Sequence, residues 1–227
     1  MIRAEDIDAT VEVMLRSGLN AAGMRSPHVF RALAEDAVRI PRQIMIAVCG
    51  NEEGKLTAVV LAITERARYW RELPLRHPRA AMDIVGHRLK AIVRRRLRQL
   101  GLLEREAPPA PVDPELVKQG RELVAHRIVP LGKERWSDEG PDIAKIMYLA
   151  VDPTLRKGGV SIPLFRFLFS EMKRLGIRRA DGQINGPNIA AIKMDRQFPF
   201  VFHEAPGGYF IWLLVDEVEA FVEAGRR

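Results

Sequence analysis

The segment Arg156-Lys157-Gly158-Gly159-Val160-Ser161 is where the residue types of this chain point most directly to chemistry. It follows an apolar, β-like run ending in Asp152-Pro153, and it precedes an amphipathic helical pattern with Pro163 in its first turn. Glycine lets backbone approach a ligand closely, and the first N–H groups of a helix point outward without intrahelical partners. Those groups attract anions, and Arg156 and Lys157 add full positive charges. A pyrophosphate fits such a cradle, while an ordinary strand-to-helix turn would use the same glycines for geometry alone. No Gly-Lys-Ser/Thr closes the loop as in a Walker motif, and a dinucleotide-type Gly-x-Gly-x-x-Gly is absent.

Two elements must hold that loop: a strand over Ile143 to Val151 and a helix running to about Leu175, capped by Gly176. A strand over Arg179 to Ile184 leads into Asn185-Gly186-Pro187-Asn188 and a helix to about Gln197. Phe200 to His203 and Tyr209 to Val215 read as strands, and a last helix starts at Asp216. Upstream, helical spacing predicts a helix from Asp6 to about Leu19 and a second over Val29 to Val38, ended by Pro41. Ile44 to Cys49 and Leu56 to Thr64 form a hairpin around the turn residues Gly50 to Gly54. The order is that of a mixed α/β sheet in one domain spanning residues 1–227. Residues 66–140 read as a helical insertion. There Ile84, Val85, Leu89, Ile92, Val93, Leu97 and Leu100 form a stripe ending at Gly101, with Arg88, Lys90, Arg94, Arg95 and Arg98 opposite. The proline-rich connector 107–111 then leads to a helix from Pro114 to about His126.

The run Leu149-Ala150-Val151-Asp152-Pro153-Thr154-Leu155-Arg156-Lys157-Gly158-Gly159-Val160-Ser161 resembles the acetyl-CoA-binding motif of the GNAT superfamily. That motif is Val-x-Pro, two spacers, then Arg/Gln-x-x-Gly-x-Gly/Ala. Arg156 and Gly159 fall on it, and Ser161 stands where Gly or Ala is usual. Asn188-Ile189-Ala190-Ala191 resembles the second motif, Asn-x-x-Ala. The resemblance implies an α/β fold of the α+β kind. Its mixed, mostly antiparallel sheet is flanked by helices, and the insertion lies between the third and fourth strands; the first strand is barely present in Met1 to Ala4. It also implies an acyl-CoA, most simply acetyl-CoA. Backbone groups of Leu149 and Val151 would pair with the pantetheine arm. The N–H groups of Arg156, Lys157, Gly158, Gly159, Val160 and Ser161 would hold the pyrophosphate, and Asn188 would lie beside the far end of the arm. The implied activity is N-acyltransfer, of EC 2.3.1 type, by direct attack of a small primary amine on the thioester.

The acid and base are less legible. The family's tyrosine acid and the Gly-Phe beyond it are replaced by Asp195 and Pro199-Phe200. An ionised carboxylate would repel the departing thiolate, so Asp195 helps only if burial raises its pKa; a solvated helix residue is the plainer expectation. Tyr148 either aims its phenol into the cleft or is a half-buried strand tyrosine. His203 and Glu204 offer acid or base groups but read more simply as surface. Cys49 lacks the neighbours of a nucleophile. Asn188 is the polar residue on which motif and position agree, and no metal-ligand spacing occurs.

Net charge is +7. The single cysteine suits a reducing compartment, no apolar run nears the roughly 18 residues of a membrane span, and the charged start has no signal-peptide core. The cytoplasm is the expectation. Nucleic acid is not expected as a partner, because the aromatic platforms and known motifs are missing. The run Arg94, Arg95, Arg96 and Arg98 reads first as a solvated face. It also suits contact with a membrane surface, or an overhang that attracts an anionic acceptor, and the apolar stripe suits a homodimer. Two further readings follow: a non-catalytic GNAT-like protein binding a membrane or protein through the insertion, and a relative of the long-chain N-acyl amino acid synthases.

Overall fold

The structure is a computed structural model that describes residues 1–17, 26–104, 113–152, 159–186 and 188–224. Helices α1 (Ile7–Arg16) and α2 (Pro27–Arg39) come first, and α2 starts as its sequence dictates. Ser26 accepts a hydrogen bond from the N–H of Val29 at 3.2 Å, and Pro27 occupies the first position, where its missing N–H is harmless.

Strands β1 (Ile44–Gly50) and β2 (Leu56–Thr64) form the expected hairpin. The sheet continues with β3 (Ile143–Val151), β4 (Arg179–Asn185), β5 (Val201–Ala205) and β6 (Gly208–Leu214), in the spatial order β1-β2-β3-β4-β6-β5. Every neighbouring pair is antiparallel except β3 and β4. β1 and β2 are apolar on both sides because both sides are covered. Ile44, Ile46, Val59, Leu61 and Ile63 pack with α1 and α2, while Met45, Ala47, Val60 and Ala62 pack with the helix that follows β3. That helix, α6 (Ser161–Arg174), sits over the sheet with α7 (Ile189–Asp195) and α8 (Glu217–Ala224) in the same core.

Two expectations change. Met1 to Ala4 form no strand: the one backbone bond to the sheet runs from the Ile2 N–H to the Ile46 carbonyl, 2.9 Å. Residues 66–140 therefore lie between the second and third strands of the six that form. They also hold a helix the pattern did not suggest, α3 (Arg66–Arg76), followed by α4 (Pro78–Gln99) and α5 (Pro114–Val124). α3 and α4 pack on the α2 side, whereas α5 packs on α7. The insertion thus reaches both faces of the sheet.

One buried carboxylate ties it down. Asp36 of α2, only 1% exposed, accepts hydrogen bonds from the Tyr69 phenol (3.0 Å), Arg76 Nε (3.3 Å) and His77 Nε2 (2.9 Å). Removing one member of a buried charged cluster strands the others without compensation. Asp36→Ala is expected to cost about 3 kcal/mol in a urea titration; a loss under about 0.5 kcal/mol would show that the cluster contributes little.

The apolar stripe of α4 does not become core. Ala80 is the buried residue of this helix, and beyond Ile84 the stripe residues Val85, Leu89, Ile92, Val93 and Leu100 are each more than half exposed.

Candidate active site

β3 and β4 are joined by three rungs, Ile143–Arg179, Ala144–Ala180 and Lys145–Asp181. Beyond them β3 runs on from Ile146 to Val151 and β4 from Gly182 to Asn185, each still paired on its outer side, to β2 and β6. The two inner edges separate into a cleft of about 770 Å³. Its walls include Ile146, Leu149, Val151, Phe165, Ile184 and Ile211, with Ser17, Gln183, Asn185 and Asn188 as polar groups.

A polar cluster holds the last rung before the strands part. Lys145 Nζ meets Asp181 Oδ2 at 2.5 Å, and Arg179 Nε meets Asp181 Oδ1 at 2.6 Å while its other arm reaches Asp138 at 2.9 Å. All three strand residues are buried. Desolvation pushes the Lys145 ammonium below its ordinary pKa, against the opposing pull of Asp181. Lys145 in the otherwise apolar β3 was the available signal for this pair, while Asp181 is one of several polar residues in β4 and the glycine and asparagine motifs do not reach it. Two residues on, β3 carries a bulge: Tyr148 pairs with Leu61 and Ile146 with Ala62, leaving Met147 as the extra residue. A bulge re-aims backbone groups, and this one lies on the cleft wall.

Of the glycine loop, Gly159, Val160 and Ser161 fall among the described residues; Arg156, Lys157 and Gly158 lie outside them. Gly159 has φ +70° with open space where a Cβ would stand, so backbone conformation rather than crowding requires glycine here. α6 begins at Ser161, two residues on, and among the described residues no side chain caps it, so its first-turn N–H groups are available to a ligand. Gly159 and Ser161 line the cleft, as do Leu149 and Val151; Val160 packs beside the core.

Asn188 lines the cleft and is also the cap of α7, its Oδ1 accepting the Ala191 N–H at 3.1 Å. That bond leaves the two amide N–H groups of Asn188 unused by the cap. Asp195, expected as a solvated residue, is 4% exposed at the end of α7 and lines the cleft. Burial alone pushes its carboxyl well above the ordinary carboxylate range. Tyr148 lines the cleft half-buried, its hydroxyl 3.8 Å from the Met14 sulfur and its ring edge-on to Phe30; burial raises its phenol pKa.

The other candidates are structural. His203, 2% exposed rather than a surface residue, accepts the Trp212 indole N–H at 2.8 Å and places Nδ1 3.0 Å from the Val129 carbonyl. Only the neutral ring protonated on Nδ1 satisfies both contacts. Glu204 pairs with Arg121 on the surface at 2.9 Å. Cys49 is half-buried at the end of β1 and directs its thiol at the Gly50 carbonyl.

No family model matches the sequence, and no curated protein matches it. Solved structures do match. The crystal structure of SsHAT is 16% identical with a TM-score of 0.52, over 94% of this chain and 96% of that one. The aminoglycoside acetyltransferase AAC(6')-Ib, solved in complex with coenzyme A, is 11% identical with a TM-score of 0.51, over 100% of this chain and 97% of that one. Identities this low speak to architecture alone. The mostly antiparallel six-stranded sheet, parted between β3 and β4 and flanked by helices, gives this chain the GNAT fold.

Proposed function

We propose that this chain is an acyl-CoA-dependent N-acyltransferase of EC 2.3.1 type, with acetyl-CoA as the simplest donor and a small primary amine as acceptor. The observation that carries the reading is the cleft between β3 and β4, whose wall reaches Gly159 and the uncapped start of α6. Its chemistry fits the donor. Unpaired inner-edge groups of β3 offer Leu149 and Val151 to an amide-bearing arm, and the N–H groups from Gly159 to Ser161 suit a pyrophosphate. Apolar walls at Ile146, Phe165, Ile184 and Ile211 suit a short acyl group.

In this reading the amine nitrogen attacks the thioester carbonyl carbon and the C–S bond breaks. Backbone N–H groups at the Met147 bulge polarise the carbonyl. Asp195, held neutral by burial, gives its proton to the thiolate sulfur, and the proton shed by the amine passes to water. Asn188 orients the far end of the arm. Ser17, Gln183 and Asn185 supply uncharged polar groups on the wall, and Lys193 adds a positive charge there that suits an anionic acceptor. A cytoplasmic setting belongs to the same reading; among the described residues no helix is long and apolar enough to cross a membrane.

Isothermal calorimetry tests the donor site directly. Acetyl-CoA is expected to bind the wild-type protein with a micromolar dissociation constant. No measurable binding of acetyl-CoA or free coenzyme A would sink the enzyme reading.

A further inference from the structure

From Met82 onward, α4 and the turn after it present an apolar face that none of the described residues covers. Met82, Val85, Leu89, Ile92, Val93 and Leu100 are 53–67% exposed. At 100° per residue these six fall within an arc of about 100°, which Arg96 shares, and Arg88, Arg95 and Lys90 lie on its two flanks. Leu102 and Leu103, just past Gly101, extend the exposed apolar surface. The first half of the helix is anchored on the opposite side, through buried Ala80 and the Ser26–Asp83 hydrogen bond to the cap of α2. The exposed row is therefore held outward by a fixed base.

Charge identifies what could cover it. Residues 84–103 contain six basic side chains, Arg88, Lys90, Arg94, Arg95, Arg96 and Arg98, and no Asp or Glu. Six charges are most of the chain's net +7. A second copy laid isologously on this face would set the same six charges against each other. A polyanion such as nucleic acid would engage the arginines and leave the apolar row in water. An anionic bilayer surface answers both features, because the apolar row sinks among the acyl chains while long basic side chains on the flanks reach the headgroups. The helix is too basic and too short of apolar residues to cross, so it would lie in the interface.

We propose that α4 docks this protein on anionic lipid surfaces, in the plane of the headgroups, through Val85, Leu89, Ile92 and Val93 with Arg88, Lys90 and Arg95 on the flanks of that row. This inference does not depend on the acyltransferase reading.

Co-sedimentation of the full chain with lipid vesicles tests it. Vesicles holding about 30 mol% phosphatidylserine are expected to pull the protein down, and pure phosphatidylcholine vesicles are not. Two triple variants separate the contributions: Leu89→Ser with Ile92→Ser and Val93→Ser, and Arg88→Gln with Lys90→Gln and Arg95→Gln. Each is expected to weaken vesicle binding by about tenfold or more. The apolar trio is exposed, so its thermal melt should match the wild type, and calorimetry with acetyl-CoA should be unchanged in both variants. No binding to the anionic vesicles overturns the proposal. So does binding that only the charge variant loses, which marks a general polyanion site. A dimer in sedimentation velocity that the apolar variant dissociates assigns the face to a second copy instead, and also overturns it.

Discussion

Gly159→Glu is expected to abolish acetyl-CoA binding, raising the dissociation constant by about a thousandfold or more. Two effects add. At φ +70° a side-chain-bearing residue is strained, at a cost of roughly 1–2 kcal/mol that the loop can relieve only by leaving the conformation that presents its N–H groups. The glutamate then sets a negative charge in the place of the pyrophosphate. At about 4 Å and an effective dielectric near 20, that repulsion is worth roughly 4 kcal/mol, which is about a thousandfold by itself. Gly159→Ala separates the terms, since it keeps the strain and omits the charge; about a tenfold loss is expected. Gly176→Ala is the control. Gly176 has φ +74° at the other end of α6, so it carries the same strain away from the cleft. It should lower the melting temperature and leave affinity unchanged. If Gly159→Glu binds acetyl-CoA within about threefold of wild type, the helix start is not where the donor's phosphates sit.

What the sequence made legible follows from how local each signal is. The glycine loop, the Asn188 cap and the β1–β2 hairpin are written within a few residues, so spacing suffices to read them. The parting of β3 from β4 is not local. It depends on which rungs form, and the residues that fix the last rung, Lys145 and Asp181, lie 36 positions apart. Helix α3 was hidden because its arginines and Pro74 blur the apolar period, while its stability comes from Tyr69 and Arg76 reaching Asp36 on α2. The α4 stripe is legible as helical, but periodicity says which residues share a face and never what covers it. Asp195 and His203 fail for a related reason. A single polar residue in a short element is equally compatible with water and with core, and burial is decided by distant packing: α5 over α7, and the Val129 segment beside β5.

Asp195→Asn carries the second large expectation, a fall in kcat of about a hundredfold with KM for acetyl-CoA within a fewfold of wild type. Asparagine matches the shape of the carboxyl but has no proton to give the thiolate. The wild-type pH profile should show the same group. Burial raises the pKa of Asp195, so the carboxyl stays protonated through the range where ordinary carboxylates have ionised, and kcat should decline as pH rises through its titration. The asparagine variant should lack that alkaline limb. Stability gives an independent reading with a definite sign. The folded chain holds the Asp195 proton more tightly than the unfolded chain, whose carboxyl titrates near about 4. Stability therefore falls as pH rises from that value through the raised one, and it levels off above. An asparagine side chain cannot ionise, so the slope should flatten in Asp195→Asn and the variant should melt higher than wild type at alkaline pH. Tyr148→Phe supplies the comparison, because its phenol is the other acid on the cleft wall and its loss should cost less than about tenfold. A wild-type kcat and pH profile in Asp195→Asn, beside a large loss in Tyr148→Phe, would move the proton donor to β3. The flattened stability slope would then remain as the signature of a buried carboxyl that takes no part in the reaction.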